Sequence, residues 1–279
     1  MSGFRPCSCA ERVQLHISAG GTAGMSCKAT EQLTLKEAQA RLPAAKAHAE
    51  SLVRALRKIA SLPEGSSVLD VGAAQGRFLI HMADLGFNAW GVEPWSQARD
   101  IALMLSQQAN VNISIVAGKA ENLPFDDDRF DLVHASSVIE HVQNPAAAFQ
   151  EAHRVLKKGG VYWFFTASSM CPRQQEIKGF PLFGWYPDTL KRRIMLWARD
   201  NCPRLVGMSG SPALNWFTPS KARRMLRDVG FEQIYDRWDL ASPSGVILTG
   251  AISLIRRVRL LRLLGNVCVS GCAYAAIKT

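Results

Sequence analysis

The sequence predicts an α/β fold: a mostly parallel seven-stranded sheet with helices on both faces and an insertion after the fifth strand. Three observations predict it. Short apolar runs alternate with segments of helical composition from Ser67 onward; a glycine-rich turn follows the first run; and the alternation breaks once, after Ser168, at a stretch rich in Pro, Trp and basic residues. A repeated β-α-β-α order needs crossover connections, and these lay helices over both faces of a parallel sheet.

Taken in order, residues 35–60 have the Ala, Leu, Lys and Glu content of a helix, with Pro43 marking a kink or a fresh start. The apolar runs 67–71, 88–92, 113–116, 130–135 and 161–166 read as strands, and 76–85, 96–108 and 145–156 as the helices between them. The interruption, about 169–217, has room for a helix near 187–200. Thr218 as N-cap and Pro219 at the first helical position open a helix to Asp228, which Gly230 closes. Residues 231–240 then read as a strand, 244–264 as a last helix and 267–277 as a final strand. No internal repeat occurs. Residues 34–279 therefore read as one domain behind a loose leader, residues 1–33, rich in Ser, Gly, Cys and Ala.

Composition limits the function classes. With 48% hydrophobic and 20% charged residues, the chain of 279 residues is an ordinary globular protein. Its net charge of +10 favours anionic surroundings such as nucleic acid, a lipid surface or an acidic substrate, and equally fits a basic enzyme with a solvated positive face. The seven cysteines are scattered, with no paired CxxC blocks at zinc spacing, so a reducing, cytoplasmic setting is expected. Cys7 and Cys9 read as free thiols of the leader. Neither a secretory signal nor a bilayer-spanning run is expected.

In an open α/β sheet, ligands bind beyond the carboxyl ends of the strands near the switch point. The first strand here runs into Asp70-Val71-Gly72-Ala73-Ala74-Gln75-Gly76. Gly72 and Gly76 permit a tight turn and close backbone approach, Ala74 adds one methyl, and the helix that follows directs its amide dipoles at the same place. Glu93, about 20 residues on at the end of the second strand, can accept from two ribose hydroxyls; the plainer alternative is a surface residue before Pro94. An NAD(P)-dependent oxidoreductase would want a third glycine at position 77, where Arg77 stands. A methionine carboxylate and amine, smaller than a pyrophosphate, suit the turn better, with Asp70 near to receive hydrogen bonds. The charge keeps a third alternative open, a non-catalytic nucleotide- or RNA-binding protein on the same scaffold.

The ordered set Asp70-x-Gly72-x-Ala74-x-Gly76, Gly91-Val92-Glu93-Pro94, Leu123-Pro124-Phe125, Phe130-Asp131-Leu132-Val133, Ile139-Glu140-His141-Val142 and Val155-Leu156-Lys157-Lys158-Gly159-Gly160 resembles class I methyltransferases that use S-adenosylmethionine (SAM) on a Rossmann-like sheet. The subgroup it is most similar to is the type 11 small-molecule enzymes, akin to ubiquinone and menaquinone biosynthesis methyltransferases. The resemblance covers about 62–166 and returns weakly over 216–231. It implies SAM as cofactor: Asp70, Gly72, Ala74 and Gly76 around its methionine part, Glu93 at the ribose, Ala120 and Glu121 beside the adenine, and Ser136 at the methionine end. Lys119 departs from the pattern, which has an acidic residue there.

Methyl transfer from a sulfonium is an in-line displacement that positioning and desolvation can promote. His141, with Glu140, is the candidate base or acceptor-orienting group. The competing role for the pair is to cap the next helix or stiffen the loop. Similar quinone O-methyltransferases carry a further Glu three residues before the Glu-His pair to complete a metal site; Ser137 stands there, so no metal is expected. Neither an Asn-Pro-Pro-Tyr element nor a Pro-Cys nucleophile follows the fourth strand, which disfavours nucleic-acid bases; the expected acceptor is a small or lipid-like molecule, by O-, C- or N-transfer. The 169–217 insertion reads as an acceptor lid, its Phe180, Phe183, Trp185, Tyr186, Trp216 and Phe217 either walling the acceptor or forming a small core. Ile247, Ala251, Leu254, Val258 and Leu261 form one helical stripe, read as core. Arg256, Arg259 and Arg262 turn away from that stripe and, with Lys191, Arg192 and Arg193, fit peripheral contact with anionic lipid at the inner face of a membrane. The oligomeric state is not encoded legibly.

Overall fold

The computed structural model describes residues 35–206, 211–241, 243 and 245–279. The expected leader, with Cys7, Cys9 and Cys27, lies outside the described residues. Two helices open the fold, α1 (Leu35–Ala40) and α2 (Leu42–Leu56), with Pro43 in the first turn of α2, where its missing N–H leaves no helical bond unmade. There follow β1 (Ser67–Val71), α3 (Arg77–Asp84), β2 (Asn88–Val92), α4 (Ser96–Gln108), β3 (Ser114–Val116), β4 (Phe130–Ser136), α5 (Pro145–Val155) and β5 (Leu156–Ala167). After β5 come two single 3₁₀ turns, Phe183–Trp185 and Pro203–Leu205, on either side of α6 (Asp188–Asn201). The chain ends with α7 (Pro219–Asp228), β6 (Phe231–Asp236), α8 (Arg237–Leu240), α9 (Val246–Arg257), α10 (Arg259–Val267) and β7 (Gly271–Lys278).

The seven strands make one sheet in the order β3-β2-β1-β4-β5-β7-β6. All pairs are parallel except those of β7, which runs antiparallel to both β5 and β6. Chain order reverses between β1 and β4, so their carboxyl ends flank the switch point where a crevice must open. Alternation along β1 splits the core in two. Leu69 and Val71 join Val133, Phe149, Phe164 and Leu226 on the face covered by α5 and α7; Val68 joins Leu79, Leu132, Val161 and Trp163 under α2 and α3.

Side-chain caps fix two helix starts: Asn144 accepts from Ala146 and Ala147 N–H at 3.1 and 3.2 Å to open α5, and Thr218 accepts from Lys221 N–H at 3.2 Å to open α7. Four expectations need correction. β5 begins at Leu156 rather than 161, with α5 ending one residue earlier, because Leu156 already pairs with Phe130. The strand expected over 231–240 stops at Asp236, whose carboxylate caps Trp238 and Asp239 N–H at 2.9 and 3.3 Å while Asp239 returns a bond to the Asp236 N–H at 2.9 Å. This reciprocal box starts α8. The single helix expected over 244–264 is two, broken at Val258 in an extended conformation (φ −103°, ψ 108°), and since α10 runs to Val267 the last strand starts at Gly271 rather than 267. Finally, the stripe read as core faces solvent: Ile247 is 90% and Leu254 52% exposed, and no residue of α9 or α10 is buried.

Candidate functional site

The crevice is built by the turn between β1 and α3. Gly72 (φ +70°) and Gly76 (φ +67°) take left-handed backbone, and Ala74 takes it too at φ +47°. A β-carbon on Gly72 would stand 2.5 Å from Val138 Cγ2, so the turn after β1 is packed directly on the loop after β4. Gly72 and Ala73 N–H both bond to Val92 O, at 2.8 and 3.0 Å, which ties the turn to the end of β2. There Glu93, 5% exposed, accepts from Ala74 N–H at 2.9 Å through one oxygen and from Trp95 N–H at 3.1 Å through the other. Burial pushes its carboxyl above the ordinary range, against the opposing pull of those two backbone donors. Gln75 Oε1 is buried beside them with no hydrogen-bond partner among the described residues.

Asp70 is held by a neighbouring strand. Its Oδ1 is bonded by His134 Nδ1 at 2.6 Å, inside the α2–α3 face of the sheet, where the His134 ring is stacked between Phe78 (3.8 Å) and Trp163 (4.8 Å). His48 Nε2 on α2, half-buried, meets His134 Nε2 at 3.3 Å, completing a row from helix to strand to strand. Burial, then the neighbouring His134, lowers His48 to about 4. Ser136 is exposed at the carboxyl end of β4. Ala120 is buried in the main core, and Glu121 Oε1 accepts from Gln143 N–H at 2.8 Å, tying the 118–122 loop to the loop after β4.

Beyond Val138 that loop turns inward. Glu140, 2% exposed, accepts from the Thr166 hydroxyl at 2.8 Å, and burial pushes its carboxyl up to about 7. Its backbone O accepts from Leu214 and Asn215 N–H at 2.7 and 3.0 Å, so the residue anchors the far end of the 169–217 segment. His141 is lowered, chiefly by burial, against the charge of Glu176 and backbone groups at Ser211 and Pro212. A cavity of about 210 Å³ opens here, lined by Ser137, Glu140, His141, Glu176, Arg199 and Ala213 among others. Two lining residues carry buried atoms with no hydrogen-bond partner among the described residues, His141 Nδ1 and Glu176 Oε2. A capping role for Glu140 or His141 is excluded, because Asn144 caps α5.

Residues 69–164 match the model of a methyltransferase domain. Over that third of the chain the sequence is similar to methyltransferase domains. Among curated proteins it is similar to a ubiquinone biosynthesis O-methyltransferase of Shewanella pealeana, 32% identical over 104 residues, which are 37% of this chain and 44% of that protein. The matched stretch is thus less than half of that relative's length. Among solved structures it is similar in fold to an S-adenosylmethionine dependent methyltransferase of Mesorhizobium loti (TM-score 0.55, 18% identity, 82% of this chain and 98% of that one). A second is a Haemonchus contortus phosphoethanolamine N-methyltransferase in complex with SAM (TM-score 0.54, 15% identity, 89% and 58%).

Within the matched stretch 69–164, Gly72, Ala74, Gly76 and Glu93 meet at one crevice, and Glu140 and His141 meet at the neighbouring cavity. Val138 joins the two, since it packs on Gly72 and lies between Ser137 and Glu140 in sequence. Glu176, Arg199 and Gln175 were not foreseen; nothing in their local sequence marks them, and they reach the cavity only through the path of the 169–217 segment. None of the six aromatics lines this cavity. Phe183, Trp216 and Phe217 are buried in cores, Phe180 and Tyr186 pack against the first of these, and Trp185 is 57% exposed with its N–H on Met170 O. The basic group expected at lipid is also largely engaged inward: Lys191, 1% exposed, lies over the Trp216 ring and pairs with Asp188 at 2.8 Å, and Arg192 donates to Leu214 O at 2.7 Å.

Proposed function

We propose that the protein transfers a methyl group from SAM to a hydroxyl of a small, lipid-like acceptor held in the cavity beside Glu140. The observation that carries this reading is the shared wall: the loop after β4 closes the Gly72 turn with Val138 and lines the cavity with Ser137, Glu140 and His141. The two sites adjoin along this one short loop, and in-line transfer needs such closeness, with the acceptor hydroxyl reaching past the loop to the methyl carbon.

SAM, when bound, supplies an electrophilic methyl carbon whose bonding pair returns to sulfur on transfer. The crevice fits it on this chain's own terms, because Gln75 Oε1 is a buried acceptor in want of a donor within the left-handed turn 72–76. Glu93 accepts the ribose hydroxyls with lone pairs its two backbone donors leave open, Ala120 and Glu121 border the adenine, and Ser136 borders the methionine end. Asp70 acts from behind the strand, holding His134, rather than on the methionine part directly. Glu140 takes the acceptor's proton; with its carboxyl near 7 it is poised for general base work at neutral pH, and His141 Nδ1 orients the same hydroxyl. The segment 169–217 is the lid, contributing Glu176, Met195, Arg199 and Ala213 to the cavity around its own small core. The likeness to the Shewanella ubiquinone biosynthesis O-methyltransferase supports an oxygen acceptor.

The test is a calorimetric titration with SAM, followed by incubation with methyl-labelled SAM and a fractionated cell extract. Binding at one site per chain and an alkali-stable labelled lipid-like product are expected. Absence of SAM binding would overturn the reading.

A further inference from the structure

The connection from β6 to β7 is built inside out. Across 245–270 the chain carries Arg256, Arg257, Arg259 and Arg262 and not one Asp or Glu. Two of these arginines point back to the body. Arg256 donates to the carbonyls of Trp238, Asp239 and Ala241, and Arg262 pairs with Asp236 and Asp239 at 2.6 Å each. Asn266 accepts from Trp238 Nε1 at 2.8 Å, and Gly265 sits so close to the Trp238 ring that a β-carbon would meet it at 2.5 Å. The inner side of α9 and α10 is thus fastened largely by polar contacts.

The outer side is apolar and bare. Val246 is 89% exposed, Ile247 90%, Leu260 62%, and Leu248, Leu254, Leu263 and Leu264 each about half. Arg257 and Arg259, at the break between the helices, are exposed and make no hydrogen bond or ion pair with the described residues. Soluble surfaces rarely leave such runs uncovered, so something covers this one.

We propose that α9 and α10 lie in the headgroup region of an anionic lipid bilayer, apolar side down. Charge selects this occupant. A second copy of the chain would bring Arg257 and Arg259 against their own copies with no carboxylate in 245–270 to meet them, whereas phosphate headgroups neutralise both while acyl chains take the leucines. Length fixes the attitude: helices of 12 and 9 residues rise roughly 18 and 14 Å, well short of the ~30 Å hydrocarbon core. Among the described residues no helix is long and apolar enough to cross a membrane, so the pair lies flat. The position also matters. The α8–α10 connection leaves the carboxyl end of β6, and Ser270 O accepts from Ser168 N–H at 3.2 Å just past β5. The seat therefore lies at the same edge of the sheet as the donor and acceptor sites. Trp185 and Trp197, 57% and 50% exposed on the 169–217 segment, leave that edge too, and tryptophan suits the interface.

Sedimentation with vesicles tests this without reference to methyl transfer. Wild-type protein is expected to sediment with phosphatidylglycerol–phosphatidylcholine vesicles at low salt and much less with pure phosphatidylcholine. Arg257→Glu with Arg259→Glu should lower partitioning by at least about 5-fold for each arginine lost. Ile247→Asp with Leu260→Asp should abolish it, with an unchanged thermal melt because both side chains already face solvent. No sedimentation of the wild type with anionic vesicles would overturn the proposal. So would undiminished sedimentation of both double variants, or a stable dimer in analytical ultracentrifugation that Ile247→Asp with Leu260→Asp dissolves, since the occupant would then be a second copy.

Discussion

Glu93 is a buried carboxylate that accepts from two backbone N–H groups of the turn and its own strand end, so its removal both strips the ribose contacts and frees Ala74 from its left-handed conformation. Glu93→Ala is expected to weaken SAM binding by about one to two orders of magnitude, roughly 1.4–2.7 kcal/mol, read by calorimetry. An unchanged dissociation constant would remove the residue from the site. Gly72→Ala tests the cradle from the other side. The new β-carbon meets Val138 in a backbone conformation that only glycine adopts at no cost, so a loss of about 1–3 kcal/mol in urea unfolding is expected. These positions were legible because spacing alone identifies them: a turn after the first strand and an acid after the second. Glu176 was not legible, because it stands 36 positions from Glu140 and its place in the cavity depends on where an aperiodic segment folds back. The motif located Asp70, while its bond through one oxygen to His134 depends on the packing of Phe78 and Trp163 around that ring and has no signal in local sequence.

At the scale of elements, the strands and helices from β1 to α5 were legible to within a residue or so because their apolar period is uniform. The errors gather after Gly230, where two local rules compete. The run 231–240 is apolar enough to continue as a strand, yet Asp236 and Asp239 stand at the spacing of a reciprocal cap, and the cap prevails. The same Asp236 receives Arg223 at 3.1 Å and Arg262 at 2.6 Å, so one side chain ends β6, starts α8 and holds α10. Asp236→Ala removes a cap and one of the two carboxylates that hold the partly buried Arg223 and Arg262. A loss of about 3–5 kcal/mol in chemical denaturation is expected, the range for breaking a largely buried pair from one side. A loss under about 1 kcal/mol would mean that Asp239 alone sustains both arginines. The 244–264 stripe was misjudged because helical periodicity reports that a face is apolar and not what it faces; α9 and α10 turn theirs outward because Arg256, Arg262 and Asn266 fasten the opposite side.

At the scale of the molecule, two titratable groups, the half-buried His48 on α2 and the buried Glu140 after β4, act on stability with opposite sign. His48 is held near 4 in the fold against about 6.5 in the unfolded chain. Between those values the unfolded chain binds a proton that the native state refuses, so stability falls as pH drops through the window, by at most about 1.4 kcal/mol per unit. Glu140 is held near 7 against about 4.5 unfolded. There the native state binds the proton that the unfolded chain has released, so stability falls as pH rises through the window. From pH 5 to 6.5 the two slopes oppose each other, and wild-type stability should owe little net pH dependence to this pair. Each substitution should uncover the other. Glu140→Gln is expected to steepen the gain in stability from pH 5 to 6.5 relative to wild type by up to about 1.4 kcal/mol per unit, and His48→Gln to shift the slope the other way. The comparison is a difference of two urea midpoints at each pH, so other titrating groups common to both proteins cancel. Parallel wild-type and Glu140→Gln curves would show that the carboxyl is ionised in the native state across this range, and Glu140 could then serve as a base well below neutrality.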